Sequence, residues 1–508
     1  MKGFYDGRTR ILIGIILLAY ALLVVELLKK TVFSSSYYQR LSDSNAIRQI
    51  EISAPRGVFY DRNNELLTTN AESKRYTFLR EYPYHELYAH VIGYVGLPSE
   101  KNLKDRTCPV KARSNELVGV YGLERIYECR LRGVPGVRYV MTNAQGEQQV
   151  ELAVTQPKKG EDMYLTLDTR LQKAAAQALK GKQGAVLATN PTTGEVLAFY
   201  SSPAFDPQRI IHTLRAYGEY AADPQQPLFN RVVSGIYPPG SVVKPLYALG
   251  ALEDGVIDER TIVEDTGVLE VGGTSFGNWY YLQYGKREGL VDVVKAIARS
   301  NDIFFYTLGI QGGEDKLVSW IKQFRYGKTD MDGFFAQTPS TLPDDAWKRE
   351  RFGEQWYLGD TINLSIGQGY LLVSPTQVHS SVSLIASGGT WCPYRFEKGQ
   401  KSDCTHQTIN PQHLQLIRAG MRAACSTGGT GYPLFNYKVQ GKSIGVACKT
   451  GTAESTTKIE DPHAWFTAFA PADSPSIVVT VLVEHGGEGS AVAAPIAKAV
   501  LDAYFMSL

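Results

Sequence analysis

The sequence predicts an α+β fold in which helices lie against an antiparallel sheet, with a mixed region ahead of it and one N-terminal membrane helix. Three observations predict it. Strand-length apolar segments stand at both ends of residues 161–508, with helix-length segments between them. A run of 18 residues, 11–28, is apolar apart from Glu26 near its end. The polar stretch Lys158-Lys159-Gly160-Glu161-Asp162 interrupts the patterning and marks a boundary. The chain is therefore expected to divide into a short head at 1–10, an anchor at 11–31, a mixed domain at 32–160 and an α+β domain at 161–508.

The anchor comes first. At about 1.5 Å per residue, its apolar run can just cross the hydrocarbon core of a bilayer. A cleaved signal peptide is the competing reading, but its apolar stretch usually runs only about 7–15 residues. Lys2, Arg8 and Arg10 precede the run and Lys29-Lys30 follow it, so flanking charge gives little orientation. The short head and long remainder favour the N-terminus inside and the bulk outside. In the mixed domain, 58–63 reads as a strand ending in a polar turn, and 117–133 as a helix stopped by Gly133.

Beyond the break, 163–167 reads as a strand, and Asp168 can cap a helix over 170–179. Strands at 184–188 and 195–200 flank Asn190-Pro191-Thr192-Thr193-Gly194, a hairpin. A helix begins near Ser241, and a helical stretch covers 291–309. Helices at 376–386 and 411–425 precede strands at 444–452, 465–470 and 476–484, and a helix at 491–504 closes the chain.

Composition narrows the class. The 53 basic and 51 acidic residues nearly cancel, leaving a net charge of +2, so nothing points to nucleic acid. The six cysteines all follow the anchor, where an oxidising exterior permits disulfides. Cys392 and Cys404 flank a polar stretch that could be a cross-linked loop, and Cys108 and Cys129 could pair in the same way. Unpaired thiols are the alternative. No Cys-x-x-Cys or metal-type histidine spacing occurs, so a metal site is not expected.

Three short elements carry chemistry together. Ser241-Val242-Val243-Lys244 follows Pro238-Pro239-Gly240 and places a hydroxyl and an amine one helical turn apart. A serine is a weak nucleophile until its proton is taken, and a desolvated lysine can take it near neutral pH. Pro245 is tolerated in the first turn, where amides lack intrahelical partners, and the helix N-terminus adds positive potential. Ser300-Asn301-Asp302 supplies a hydroxyl able to relay a proton and an acceptor able to hold a lysine. Lys449-Thr450-Gly451-Thr452 ends an apolar strand; alternation puts Lys449 and Gly451 on one face, and glycine leaves room for a substrate backbone. Two other Ser-x-x-Lys tetrads, at Ser319 and Ser455, fall after the second and third elements, out of order. The bland readings are a helix-interior hydroxyl for Ser300 and a solvated strand end for Lys449. The order and spacing of all three elements favour function.

This set resembles the penicillin-recognising serine enzymes, whose motifs are Ser-x-x-Lys, Ser-x-Asn/Asp and Lys-Thr-Gly. Other segments are similar to the class B, monofunctional penicillin-binding proteins and extend the resemblance over nearly the whole chain. They are Ala54-Pro55-Arg56-Gly57 with Asp61-Arg62-Asn63, Val120-Tyr121-Gly122-Leu123-Glu124-Arg125 with Leu131-Arg132-Gly133, and 190–198. Asn363-Leu364-Ser365-Ile366-Gly367-Gln368-Gly369 and Ala464-Trp465-Phe466 complete them. Gly277-Asn278-Trp279 and the aspartate of Ser300-Asn301-Asp302 look like the elongation type, since the division type more often carries asparagine there. Ala468 departs from the glycine common in the family.

The resemblance implies a penicillin-binding/serine β-lactamase-like transpeptidase domain on an elongated pedestal. It implies an acyl-enzyme on Ser241 formed from the D-Ala-D-Ala end of a peptidoglycan stem peptide, with β-lactams as covalent inhibitors. Lys244 would accept the serine proton, its pKa depressed by Lys449. The amides of Ser241 and Thr452 would form the oxyanion hole, and the implied chemistry needs no cofactor or metal. Ser300 would pass a proton to departing D-Ala, and Asp302 would orient Lys244 and the substrate amide. Lys449, Thr450 and Thr452 would hold the terminal carboxylate, with Asn301 and Gly451 also lining the substrate. The expected partner is a SEDS-type glycan polymerase in the inner membrane. A division-type transpeptidase, a D,D-carboxypeptidase and a β-lactam sensor are the alternatives. The sensor would need a cytoplasmic signalling part, and only about ten residues precede the anchor.

Overall fold

The structure, a computed structural model, describes residues 7–38, 47–73, 78–105, 107–143, 147–331, 335–454 and 460–506. The tetrad beginning at Ser455 lies outside them. Contacts divide the chain into two compact units, Met1–Arg56 with Arg132–Gly160, and Gly57–Leu131 with Glu161–Leu508.

In the first unit, α1 (Gly7–Leu28) runs into a π-helical turn, Lys29–Phe33. Together they make one exposed helix of 27 residues, whose most apolar 18-residue window has a mean hydropathy of 2.9. At about 1.5 Å per residue it is longer than the roughly 30 Å hydrocarbon core. Strands β1 (Ile47–Ile52), β2 (Gly136–Thr142) and β3 (Gln148–Thr155) form an antiparallel sheet with β2 in the middle.

The second unit is built on a five-stranded antiparallel sheet. Its strands are β4 (Gly184–Thr189), β5 (Val196–Ser202), β6 (Ala447–Ala453), β7 (His463–Ala470) and β8 (Ile477–Val483), in the order β5-β4-β8-β7-β6. Both faces are covered, which is why β8 is apolar at every position except Thr480. Ile477, Val479, Val481 and Val483 join one core with α2 (Thr169–Ala178) and α8 (Ala494–Phe505). Val478 and Leu482 face the other core, with α3 (Lys244–Glu253) and α6 (Pro375–Ala386). This is the period-two alternation of a strand with two apolar sides. Strand β6 is an edge, so one side of its backbone is left for something other than the sheet. Asp168 caps α2 by accepting from the Arg170 amide.

Gly57–Leu131 belongs to this unit because Phe59, Leu67, Tyr88, Val91, Leu123 and Leu131 share a core with Met163, Leu165 and Leu167. Three expectations change. Residues 117–133 are not one helix: Val118–Gly119 is a strand, and two short helices follow, Gly122–Ile126 and Glu128–Leu131. Gly122 has φ +63°, and a Cβ there would sit 2.6 Å from the Ile92 carbonyl oxygen, so the chain must turn at that residue. The strand at 163–167 shortens to Met163–Tyr164, paired parallel with Phe59–Tyr60. The helical stretch at 291–309 is a strand end at Val291 followed by two helices, α4 (Val293–Arg299) and α5 (Asp302–Gln323), broken at Ser300.

All six cysteines are paired: Cys108–Cys129, Cys392–Cys404 and Cys425–Cys448. The third, which spacing did not suggest, ties the end of α7 (Pro411–Ala424) to β6 one residue before Lys449.

Candidate active site

The nucleophile motif sits on a 3-10 turn, Gly240–Val243, that feeds directly into α3 with Pro245 in its first turn. The turn lies flat on the edge strand. A Cβ on Gly240, whose φ is +55°, would meet the Thr452 carbonyl oxygen at 2.7 Å, and one on Gly451 would meet Val242 Cγ1 at 2.9 Å. Glycine at both places is what lets the Ser241 turn and β6 touch. From the other side the Gly367 carbonyl accepts from the Gly240 amide at 2.8 Å. Gln368 then reaches β6: its Nε2 donates to the Thr452 carbonyl at 3.2 Å, and its Oε1 accepts from the Glu454 amide at 3.3 Å. Ser241 itself is half-buried.

Lys244 is fully buried. Its Nζ donates to Asp302 Oδ1 at 2.6 Å and to the Ser300 carbonyl at 2.8 Å, and lies 3.4 Å from Ser300 Oγ. Lys449, also fully buried, donates to Ser300 Oγ at 2.8 Å and to the Thr450 carbonyl at 2.9 Å. The two amines thus meet at one hydroxyl. Ser300 caps α4 in the left-handed conformation, φ +54° and ψ 36°, a place usually taken by glycine. A non-glycine residue there costs roughly 1–3 kcal/mol, and such outliers cluster at functional sites. The turn aims the Ser300 hydroxyl and carbonyl back at the lysines.

Burial lowers the Lys244 pKa from its ordinary value, opposed by the adjacent Asp302 carboxylate. Lys449 is pushed well below its ordinary value, first by burial and then by the Lys244 charge, with Asp302 opposing. Burial is the first cause for both amines, and the repulsion between their neighbouring charges is mutual.

The remaining residues divide. Asp302 does not reach outward to a substrate amide: Oδ1 holds Lys244, and Oδ2 accepts from the Trp279 amide at 2.9 Å. Asn301 is fully buried, and its Oδ1 caps α5 through the Phe304 amide at 2.9 Å. Thr450 is buried, with its hydroxyl donated to Thr430 Oγ1 at 2.8 Å, whereas Thr452 is exposed. Ser319 stands exposed on α5, away from the motif set. Sequence reasoning missed Thr430, which no motif marks, and the Trp279 amide and Asn278 side chain, to which the Gly277-Asn278-Trp279 signature was a pointer.

Comparison with known proteins identifies the family. Residues 184–502 match the family model for the penicillin binding protein transpeptidase domain, and residues 75–165 match that for the penicillin-binding protein dimerisation domain. The peptidoglycan D,D-transpeptidase MrdA of Haemophilus influenzae is 33% identical over 84% of this chain and 69% of its own length. Among solved structures, Pseudomonas aeruginosa PBP2 in complex with WCK 5153 is 34% identical with a TM-score of 0.77, covering 90% of this chain and 96% of that one. A peptidoglycan synthase complex, described as coordinating polymerization and crosslinking, contains a chain 27% identical with a TM-score of 0.79, covering 98% of both chains.

Proposed function

The chain belongs to the penicillin-binding protein transpeptidase family, in its class B, penicillin-binding protein 2 branch, and from that premise we propose the part each side chain plays. It is a serine-type peptidoglycan D,D-transpeptidase of the elongation type. Ser241 Oγ attacks the penultimate D-Ala carbonyl carbon, and its proton passes to the neutral Nζ of Lys244. The oxyanion meets the backbone N–H groups of Ser241 and Thr452, donors worth about 3–4 kcal/mol of barrier each. As the carbonyl re-forms, the C–N bond breaks; Ser300 Oγ delivers its proton to the departing D-Ala amine and takes up the one held by Lys244 Nζ, 3.4 Å away. The amine of a second stem then attacks the acyl ester and gives up its proton through the same relay; the ester C–O bond to Ser241 breaks, and the proton returns to Ser241 Oγ.

Lys449 and the exposed Thr452 hold the terminal carboxylate, and Thr450 joins them by exchanging its bond to Thr430. A substrate carboxylate beside Lys449 favours its charged form, so binding itself recharges that amine. The observation that carries this reading is the single hydroxyl of Ser300 set between two buried amines, 2.8 Å from Lys449 and 3.4 Å from Lys244.

The apolar helix Gly7–Phe33 anchors the chain in the inner membrane as a single pass. The three disulfides suit an oxidising compartment, so the catalytic unit works outside the cytoplasm. The synthase complex among the similar structures supports a SEDS-type glycan polymerase as membrane partner. The direct test is covalent labelling by a fluorescent penicillin in a denaturing gel. Wild-type protein is expected to label on Ser241 and Ser241→Ala to give no band; undiminished labelling of the variant would overturn the assignment.

A further inference from the structure

The buried carboxylate of Asp265 takes no part in the steps above, yet four N–H donors converge on it. Its Oδ1 accepts from the Gly267 amide at 2.7 Å. Its Oδ2 accepts from Asn278 Nδ2 at 2.7 Å, Asn301 Nδ2 at 2.9 Å and the Glu288 amide at 3.0 Å. Asp265, Asn278 and Asn301 are each 2% exposed or less. Charge-assisted bonds of this kind are about twice as strong as neutral ones.

A carboxamide has a donor end and an acceptor end, so a carboxylate that claims the donor end fixes where the acceptor end points. With its Nδ2 on Asp265, Asn278 turns Oδ1 to the Asp302 amide at 3.2 Å. With its Nδ2 on the same oxygen, Asn301 turns Oδ1 to the Phe304 amide and caps α5 at its first residue, Asp302. Asn278 also precedes Trp279, whose amide binds Asp302 Oδ2. Residue 302 is therefore gripped at its amide, its carboxylate and its helix end by groups that share one anchor. We propose that Asp265 is a positioning residue for transpeptidation: it locks the Asn278 and Asn301 carboxamides and so holds Asp302 against Lys244.

The groups facing Lys244 are Asp302 from α5, Lys449 from β6, and the Phe305 ring with its centre 5.3 Å from Nζ. Of these only Asp302 favours the protonated amine by charge. Asp265→Asn places an amide donor among donors and releases the grip. Acylation of the full-length protein in detergent by a fluorescent penicillin, followed across pH, reads the consequence. The plateau rate is expected to fall roughly 10- to 100-fold, the scale of a small misplacement at a reacting centre. The rising limb should shift to lower pH by about one unit, because a loosened Asp302 no longer supports the Lys244 charge. Combined with Asp302→Asn, the two losses should be far from additive.

Should Asp265→Asn not fold, Asn278→Ser removes one arm and leaves the carboxylate its other three donors; it should show the same limb shift at smaller amplitude. A folded variant with an unmoved limb, or losses that add in the double variant, would overturn the proposal. It rests on Ser241 as the acylated residue; failure of that reading would appear separately, as labelling that survives Ser241→Ala.

Discussion

Two regions of the second unit bury an ion pair of the same length and use it differently. In the catalytic cleft Lys244 meets Asp302 at 2.6 Å; near the start of the unit Arg80 meets Glu124, also at 2.6 Å. Both pairs are nearly inaccessible. Arg80 adds a bond to the Gly57 carbonyl at 2.8 Å and one to Asn70 Oδ1 at 3.1 Å, so its fork knits three segments together. A guanidinium is a permanent cation with five donors in fixed directions. Lys244 is a point charge whose proton burial has already loosened. The same geometry thus serves structure where the cation cannot titrate and chemistry where it can.

Exchanging the cation type gives the largest expected effect. Lys244→Arg keeps a positive charge opposite Asp302 and removes the base. Acylation by a fluorescent penicillin, measured by stopped flow, is expected to fall on the order of 10²–10⁴-fold, the worth of a positioned general base. The larger side chain should cost about 1–3 kcal/mol of stability through overpacking. In the wild-type protein the rate should rise with pH, in a window below the ordinary lysine value of 10.5, as Lys244 gives up its proton. An arginine variant that acylates normally would erase the distinction between the two pairs.

The converse change acts on the structural pair. Glu124→Ala leaves the Arg80 guanidinium buried without its carboxylate, at a cost of about 3–5 kcal/mol. Denaturant unfolding should show that loss, while the acylation rate per folded molecule stays at the wild-type value. A fall in the intrinsic rate would mean that the Arg80–Glu124 pair reaches the cleft.

The chemistry of the cleft was more legible in the sequence than its shape. Motif order alone brought Ser241, Lys244, Ser300 and Lys449 forward as candidates, and the structure sets Lys244 and Lys449 at the Ser300 hydroxyl. The break at Ser300 was hidden, since no glycine or proline marks it and the stretch has a continuous helical pattern. Its left-handed backbone is held by tertiary contacts that no local propensity records. Asn301 looked like a substrate contact because it lies inside a catalytic motif; its carboxamide is spent on the α5 cap and on Asp265, 36 residues earlier. Strands such as β5 and β8 were legible because two buried faces make them predominantly apolar. The pairing of Cys425 with Cys448 was not, because nothing in their spacing brings the end of α7 beside β6.

A third kind of buried group sharpens the comparison with the smallest expected effect. His379 and His90 are fully buried, and burial lowers each to a pKa of about 3. His379 has only neutral partners, Thr189 Oγ1 at 2.7 Å and Thr480 Oγ1 at 3.0 Å, which match the one donor and one acceptor of neutral imidazole. With no carboxylate to support a charge, it behaves as neither pair does. Its folded pKa lies below the unfolded value of about 6.5, so between about pH 6.5 and 3 the unfolded chain binds a proton that the folded one refuses. Stability is therefore complete above pH 6.5 and declines below it, by up to about 1.4 kcal/mol per pH unit for each such histidine. His379→Gln keeps one donor and one acceptor and removes the titration, so its unfolding free energy should fall less steeply than the wild-type value across that window. Equal slopes in urea titrations at pH 6.5, 5.5 and 4.5 would mean that His379 takes up a proton within the fold, and that the sheet behind Lys449 can accommodate a charge.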